Sequence, residues 1–194
     1  MKNIMIDKTK TALVVIDLQK GIVGMPTEPY PTKTVVANAA KLAKAFRKNR
    51  MPVFLVHVMI SADGKDALRP IVDSNMQWNR KMSPDWADIV PELGPEKSDF
   101  IITKHQSGAF YGTELDLQLR RRGITTIVLC GIATHIGVES TARFAYEYGY
   151  SQIFAEDAMS AMSAEEHTFT ITKIFPRMGL VRKTEDVLAD LSHV

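Results

Sequence analysis

The strongest constraint on the fold is an alternation of two kinds of apolar segment along the chain. "ALVVI" (12–16) is an unbroken apolar run rich in β-branched residues, the pattern of a strand covered on both faces. The segment 34–50 reads differently: Val35, Val36, Ala39, Leu42, Ala43 and Phe46 recur at helical spacing and form one apolar stripe. "VFLVHV" (53–58), "DFIIT" (99–103), "TIVLC" (126–130) and "QIFAE" (152–156) return to the strand pattern. Between them, a helix near 113–122 is stopped by Gly123 and another near 137–148 by Gly149. Thr113 is placed to cap the first of these. Ser163 and Glu166 in "SAEE" have capping-box spacing for a helix reaching about Phe175, and Thr184 is placed to cap a short last helix. Strands that alternate with helices in this way pair into a mainly parallel sheet with helices on both faces. The expected fold is α/β, a three-layer α-β-α sandwich around a mainly parallel, six-stranded, Rossmann-like sheet, in a single domain spanning 1–194.

Composition narrows the class. A chain of 194 residues can bury one good core and is short for two. A net charge of +2 does not provide the concentrated basic face of a nucleic-acid binder. The nearest candidate, "RRRG" (120–123), is the kind of cationic helix end that complements the helix dipole. The apolar run before Asp17 is too short for a signal-peptide core or a membrane span. The single cysteine, Cys130, forms no intrachain disulfide and fits a reducing compartment. A cytoplasmic protein with neither nucleic-acid nor membrane partners is expected.

One segment breaks the alternation. From Ile60 to Lys97 the chain is polar, holds Pro70, Pro84, Pro91 and Pro95, and carries both tryptophans, Trp78 and Trp86. A connection this long in a compact domain is a cover over an active site, an oligomer contact or a plain connection, roles that can overlap.

Ligands of open parallel sheets bind beyond the carboxyl ends of the strands. Three places meet that condition: Asp17 after the first strand, Lys104 after "DFIIT", and the turn "GIATHIG" after "TIVLC". Singly each is weak, since a strand-end carboxylate often caps a turn and most lysines are solvated. Together, an acid, a cation and a helix N-terminus at one sheet edge suit an anionic small-molecule substrate or a developing oxyanion.

Three stretches, "ALVVIDLQKG", "ITKHQSGAFYGTELDLQLRRRGI" and "TIVLCGIATHIGVESTARFAYEYGY", resemble in order and spacing the isochorismatase-like hydrolase superfamily, from about residue 11 to residue 160. The resemblance implies an isochorismatase-like hydrolase that needs no cofactor and assembles as a homo-oligomer, a dimer or larger. In the amidase branches the site is an Asp, a Lys and a Cys. The first two fall on Asp17 and Lys104, but the Cys falls on Gly137. Cys130 is no replacement, because it ends an apolar strand and is expected in the core. Isochorismatases proper resemble this chain in keeping a glycine there, in an "AHIG"-like turn where this chain has "THIG". Their reaction cleaves an enol-ether bond and needs no covalent acyl intermediate. Asp17 would supply the proton, which requires a carboxyl pKa well above about 3.9 and therefore desolvation. Alternatives are amide hydrolysis by water that Asp17 activates, and a non-catalytic small-molecule binder.

The resemblance also implies a cis peptide at Ile132–Ala133, placing both residues at the substrate. Ala133 stands where recognised isochorismatases carry a tyrosine, which implies a wider or differently shaped pocket. Further substrate-binding candidates are His135 in the turn, His105 beside Lys104, Arg69 as a carboxylate clamp, and Phe110, which lines the pocket or belongs to the core. His57 has no second histidine near it in "HVMISADGKDALRP", so a hydrogen-bonded strand-end histidine is expected there and no metal.

Overall fold

The computed structural model describes residues 6–73 and 83–192. The first strand, β1, spans Thr11–Ile16, and all six of its residues are buried. A single turn, α1 (Lys20–Val23), follows, and then the long helix α2 (Thr32–Lys48). Val35, Val36, Ala39, Leu42, Ala43 and Phe46 form its buried stripe, as their spacing requires. Next come β2 (Val53–Val58), a 3₁₀ turn at Pro91–Leu93, and β3 (Phe100–Lys104). The second half alternates regularly: α3 (Leu115–Arg121), β4 (Thr126–Ile132), α4 (Glu139–Glu147), β5 (Ser151–Ser160), α5 (Ala164–Phe169), β6 (Leu180–Arg182) and α6 (Thr184–Ser192).

The strands form one sheet in the order β3-β2-β1-β4-β5-β6, and each neighbouring pair is parallel. Its two faces carry separate cores. Leu13 and Val15 pack with α2 and α6, whereas Ala12, Val14 and Ile16 pack with Leu115 and Leu119 of α3 and Ala142 and Ala145 of α4. The chain runs outward from β1 to β3, then returns to place β4 against the other side of β1. A reversal of this kind opens a crevice at the strands' carboxyl ends, and Asp17 and the turn after β4 lie at its rim.

Several local expectations are revised. β6 has only three half-buried residues, too few to leave a pattern in sequence. The helix after β4 begins earlier than 137, with a π-helical turn at Thr134–Val138. The helix from Ser163 does have its capping box, but it widens into a second π turn at Thr170–Ile174 before Phe175. Thr113 accepts the N–H of Leu115 at the start of α3. Thr184 is the first residue of α6, and its N–H and hydroxyl both donate to Asp157 Oδ1, at 2.7 Å each.

The irregular segment is partly pinned. Val90 N–H bonds Leu18 O, Ile89 bridges Gln19, and Asp88 O and Trp86 O accept from Lys20 and Gly21. The strap 86–90 thus lies antiparallel to the chain leaving β1, with Trp86 packed on Gly21. Gln19, wholly buried, closes the join, its amide both accepting from and donating to the backbone of Val58. Trp78 lies outside the described residues.

Candidate active site

Asp17 is the first residue past β1, and its φ of 53° turns the chain sharply out of the sheet. Its N–H bonds Val56 O, which fixes the carboxylate against the end of β2. Lys104 closes β3, two strands away, and its side chain crosses the end of β2 to place Nζ 2.8 Å from Asp17 Oδ2. Both are almost fully buried, at 5% and 2% exposed. Nζ also donates to Gln106 O (3.0 Å) and Ser107 O (2.9 Å). An ammonium has three protons, so all of those on Lys104 are engaged. The lysine therefore ties the acid to the loop after β3.

Burial raises the Asp17 carboxyl to about 6, outweighing Lys104 and the more distant His57, which favour the charged form. Its Oδ1 is buried without a hydrogen-bond partner. A buried carboxylate oxygen left free is costly, and here it belongs to the acid at the crevice.

The turn after β4 approaches from the other side. Gly131, at φ 123°, passes so close to Ile16 that any side chain would strike its carbonyl. The Ile132–Ala133 peptide is cis. Ala133 O then receives the N–H groups of Ile136 and Val138, closing the turn on itself. Gly137 sits beside the acid: a Cβ there would stand 3.1 Å from Asp17 Oδ2 and 3.0 Å from Ile16 Cγ2. Thr141 donates to Gly137 O at 2.7 Å and accepts the N–H of Ala109, joining this turn to the loop that Lys104 holds. The structure thus brings Asp17, Lys104 and Gly137 together.

The isochorismatase domain model matches residues 11–186. The chain is 54% identical to the uncharacterized isochorismatase family protein YwoC of Bacillus subtilis (strain 168), over 97% of each chain.

The chain belongs to the isochorismatase family.

It is 26% identical to a probable isochorismatase of Pseudomonas chlororaphis, over 94% of this chain and 87% of that one. Among solved structures, an isochorismatase family protein from Burkholderia thailandensis superposes with a TM-score of 0.91 at 49% identity, covering 95% of this chain and 96% of that one. A cysteine hydrolase from Pseudomonas syringae pv. phaseolicola gives 0.82 at 26%, covering 98% and 96%. With the family comes the reaction class: the chain is a hydrolase.

The other residues that the sequence marks out in this isochorismatase-family chain are spread over the core, the loop after β2 and the turn after β4. Phe110 belongs to the core: it is 4% exposed and packed edge-on to Tyr148 and beside Tyr150. Arg69 is an exposed residue of the loop after β2, bonded to Gly64 O. His105 holds that same loop through Met59 O (2.8 Å) and Asp66 (3.0 Å). His57 uses both ring nitrogens, on Ala87 O and Thr103 Oγ1, so it anchors the strap. Ile132 and Ala133 are buried in the turn. His135 leaves Nδ1 buried and unpartnered, with Nε2 3.5 Å from Glu166. Cys130 lies wholly in the core, where burial pushes its thiol far up. Among the described residues no cluster of His, Cys, Asp and Glu could hold a metal, and no helix is long and apolar enough to cross a membrane.

Sequence reasoning missed four supporting residues: Gln19, Thr141, Thr134 and His167. Thr141 had a signal, since a hydroxyl four residues after Gly137 on a helix can bond back to its carbonyl. Gln19 and His167 had none, being polar residues in polar surroundings that only tertiary packing buries.

Proposed function

We propose that this hydrolase cleaves an enol-ether bond of the isochorismate type in a small carboxylate substrate, with Asp17 as general acid and water as nucleophile. One observation carries this reading: a carboxyl that titrates at about 6, with one oxygen unpartnered, lies beside a glycine where a thiol would otherwise stand.

Protonated Asp17 gives its proton to the terminal vinyl carbon, and the ether oxygen's lone pair stabilises the resulting cation. Water adds to the cationic carbon, its released proton returns to Asp17, and the hemiketal collapses to pyruvate and an alcohol. Overall one water is consumed, and no acyl-enzyme forms. Lys104 positions the acid, and it favours return of the carboxylate form after proton transfer. The carboxylate of an arriving substrate acts in the opposite sense, holding the proton on Asp17 until transfer. Likeness to a probable isochorismatase along most of both chains supports the bond type.

Likeness to N-carbamoylsarcosine amidase from Thermoplasma acidophilum, at 26% identity and a TM-score of 0.72 over 91% of this chain and 97% of that one, favours a second reading. In it, ionised Asp17 acts as a base that activates water against an amide. The experiment is incubation with isochorismate and with a panel of small amides, measuring pyruvate and ammonia separately. Pyruvate release is expected. Ammonia without pyruvate overturns the first reading in favour of the second.

A further inference from the structure

The turn that presents Gly137 to Asp17 is gripped on its other side as well. Thr134, one residue past the cis peptide, is completely buried, and its hydroxyl lies 2.9 Å from Nδ1 of His167. His167 comes from α5 and is itself 3% exposed. Its Nε2 faces Glu156 Oε2 of β5 at 3.7 Å. Glu156 also accepts from Tyr30 Oη at 3.0 Å and from Lys183 Nζ, and Lys183 reaches Tyr30 Oη at 2.7 Å. The Tyr30 ring stands edge-on to the imidazole, with centroids 5.7 Å apart. A hydroxyl, an imidazole and a carboxylate are thus aligned, and the hydroxyl belongs to the turn at the reaction centre.

The chemistry of the chain sets its direction. A carboxylate opposite Nε2 calls for a proton on that nitrogen. In the Nε2–H tautomer Nδ1 is an acceptor, and among the described residues the donor facing it is the Thr134 hydroxyl. Thr134 has no solvent exposure, so it cannot attack a substrate. We infer that His167, with its tautomer set by Glu156, is a positioning residue that locks Thr134 and thereby fixes Gly137 and the turn against Asp17. This rests on the reading that places the reaction at Asp17 and Gly137. It adds a device on the far side of that turn, built from β5 and α5.

The test pairs substitutions that keep or remove single atoms. Thr134→Val keeps the shape and deletes the hydroxyl, whereas Thr134→Ser restores it. His167→Asn keeps an acceptor near Nδ1, whereas His167→Phe keeps bulk alone. On whichever substrate the wild-type protein turns over, Thr134→Val and His167→Phe are expected to lower kcat at least tenfold with KM within threefold. Thr134→Ser and His167→Asn are expected to stay within threefold of wild type in kcat. The proposal is overturned if Thr134→Val keeps full kcat, or if Thr134→Ser is no better than Thr134→Val. A His167→Phe protein that fails to fold leaves the threonine pair to decide.

A second measurement needs no substrate, so it separates this inference from the assigned reaction. Nitrogen NMR of the imidazole should show His167 as the Nε2–H tautomer in wild type, with its Nδ1 resonance moved in Thr134→Val. A proton on Nδ1 in the neutral ring would reverse the chain of hydrogen bonds and sink the proposal. Failure of all enol-ether turnover, with the tautomer as expected, would count against the reaction and not against the lock.

Discussion

Two carboxylates flank the same turn, each beside a lysine, and they are perturbed in opposite directions. Asp17 is pushed up to about 6 by burial. Glu156 is also desolvated, but the His167 imidazole facing it and hydrogen bonds from Lys183 and Tyr30 outweigh that and hold it at about 2. The difference is one of donors. Asp17 has Lys104 on one oxygen and nothing on the other, whereas the donors on Glu156 cover both of its oxygens. A lysine alone does not make a buried carboxyl a permanent anion; enough donors do. The sparsely bonded carboxyl can exchange a proton near neutral pH, and the richly bonded one can only hold things in place.

The largest effect should come from exchanging the carboxyl that can move a proton. Asp17→Asn keeps the shape but cannot donate a carboxylic proton, and hydrolysis should fall by roughly a hundredfold to ten-thousandfold. Glu156→Gln should cost far less. A residual rate above a tenth of wild type for Asp17→Asn would show that the two carboxyls are not functionally different.

Next comes the sign of the pH dependence. If Asp17 works as an acid, kcat/KM falls with rising pH above about 6, by tenfold per unit. If it works as a base, the same group gives a rate that rises through that pH and then levels. The direction of this limb therefore decides between enol-ether protonation and water activation.

Gly137→Cys probes the space between the two sides. The new thiol would stand beside Asp17 and Lys104, in the first turn of the helical stretch that begins at Thr134. It should titrate below the free value of about 8.5 and react readily with iodoacetamide, while native hydrolysis drops. Wild-type activity should survive the same reagent, since Cys130 is buried. A thiol that titrates at or above the free value, with hydrolysis unchanged, would remove Gly137 from the reaction centre.

The smallest effect is on stability. Glu156 stays ionised in the folded chain well below its ordinary 4.5, so it stabilises above that pH and loses its contribution as pH falls toward 2. Asp17 works the other way: the folded chain keeps a proton that the unfolded chain releases above 3.8, so stability falls as pH rises from there to about 6. The melting temperature of Glu156→Gln should converge on wild type in acid. That of Asp17→Asn should rise relative to wild type across pH 4 to 6. Parallel melting curves at every pH would erase the contrast.

How much of this was legible in the sequence follows from which forces leave a pattern. β1, β2 and the stripe of α2 were readable because burial imposes a period on apolar residues. Asp17 and Lys104 were readable as ends of such runs, and Gly137 through its motif. β6 was too short to show a period. The sequence left Phe110 open between pocket and core, and gave no position for Arg69 relative to the acid, because a ring or a guanidinium in a loop does not reveal which way it faces. The Thr134–His167–Glu156 alignment joins the turn after β4 to α5 and β5, and no local spacing encodes it.

Gly137 has one more consequence. Its φ lies outside the left-handed region that favours glycine, so the backbone there would accept any residue and only the room beside Ile16 and Asp17 is restrictive. Glycine and cysteine codons can differ by a single base. An ancestor could therefore have crossed between thiol and water chemistry at this position in one mutation, with the scaffold unchanged and only a neighbouring side chain shifting by a few tenths of an ångström. Divergence of reaction type within such a lineage would then need no excursion through an unfolded scaffold.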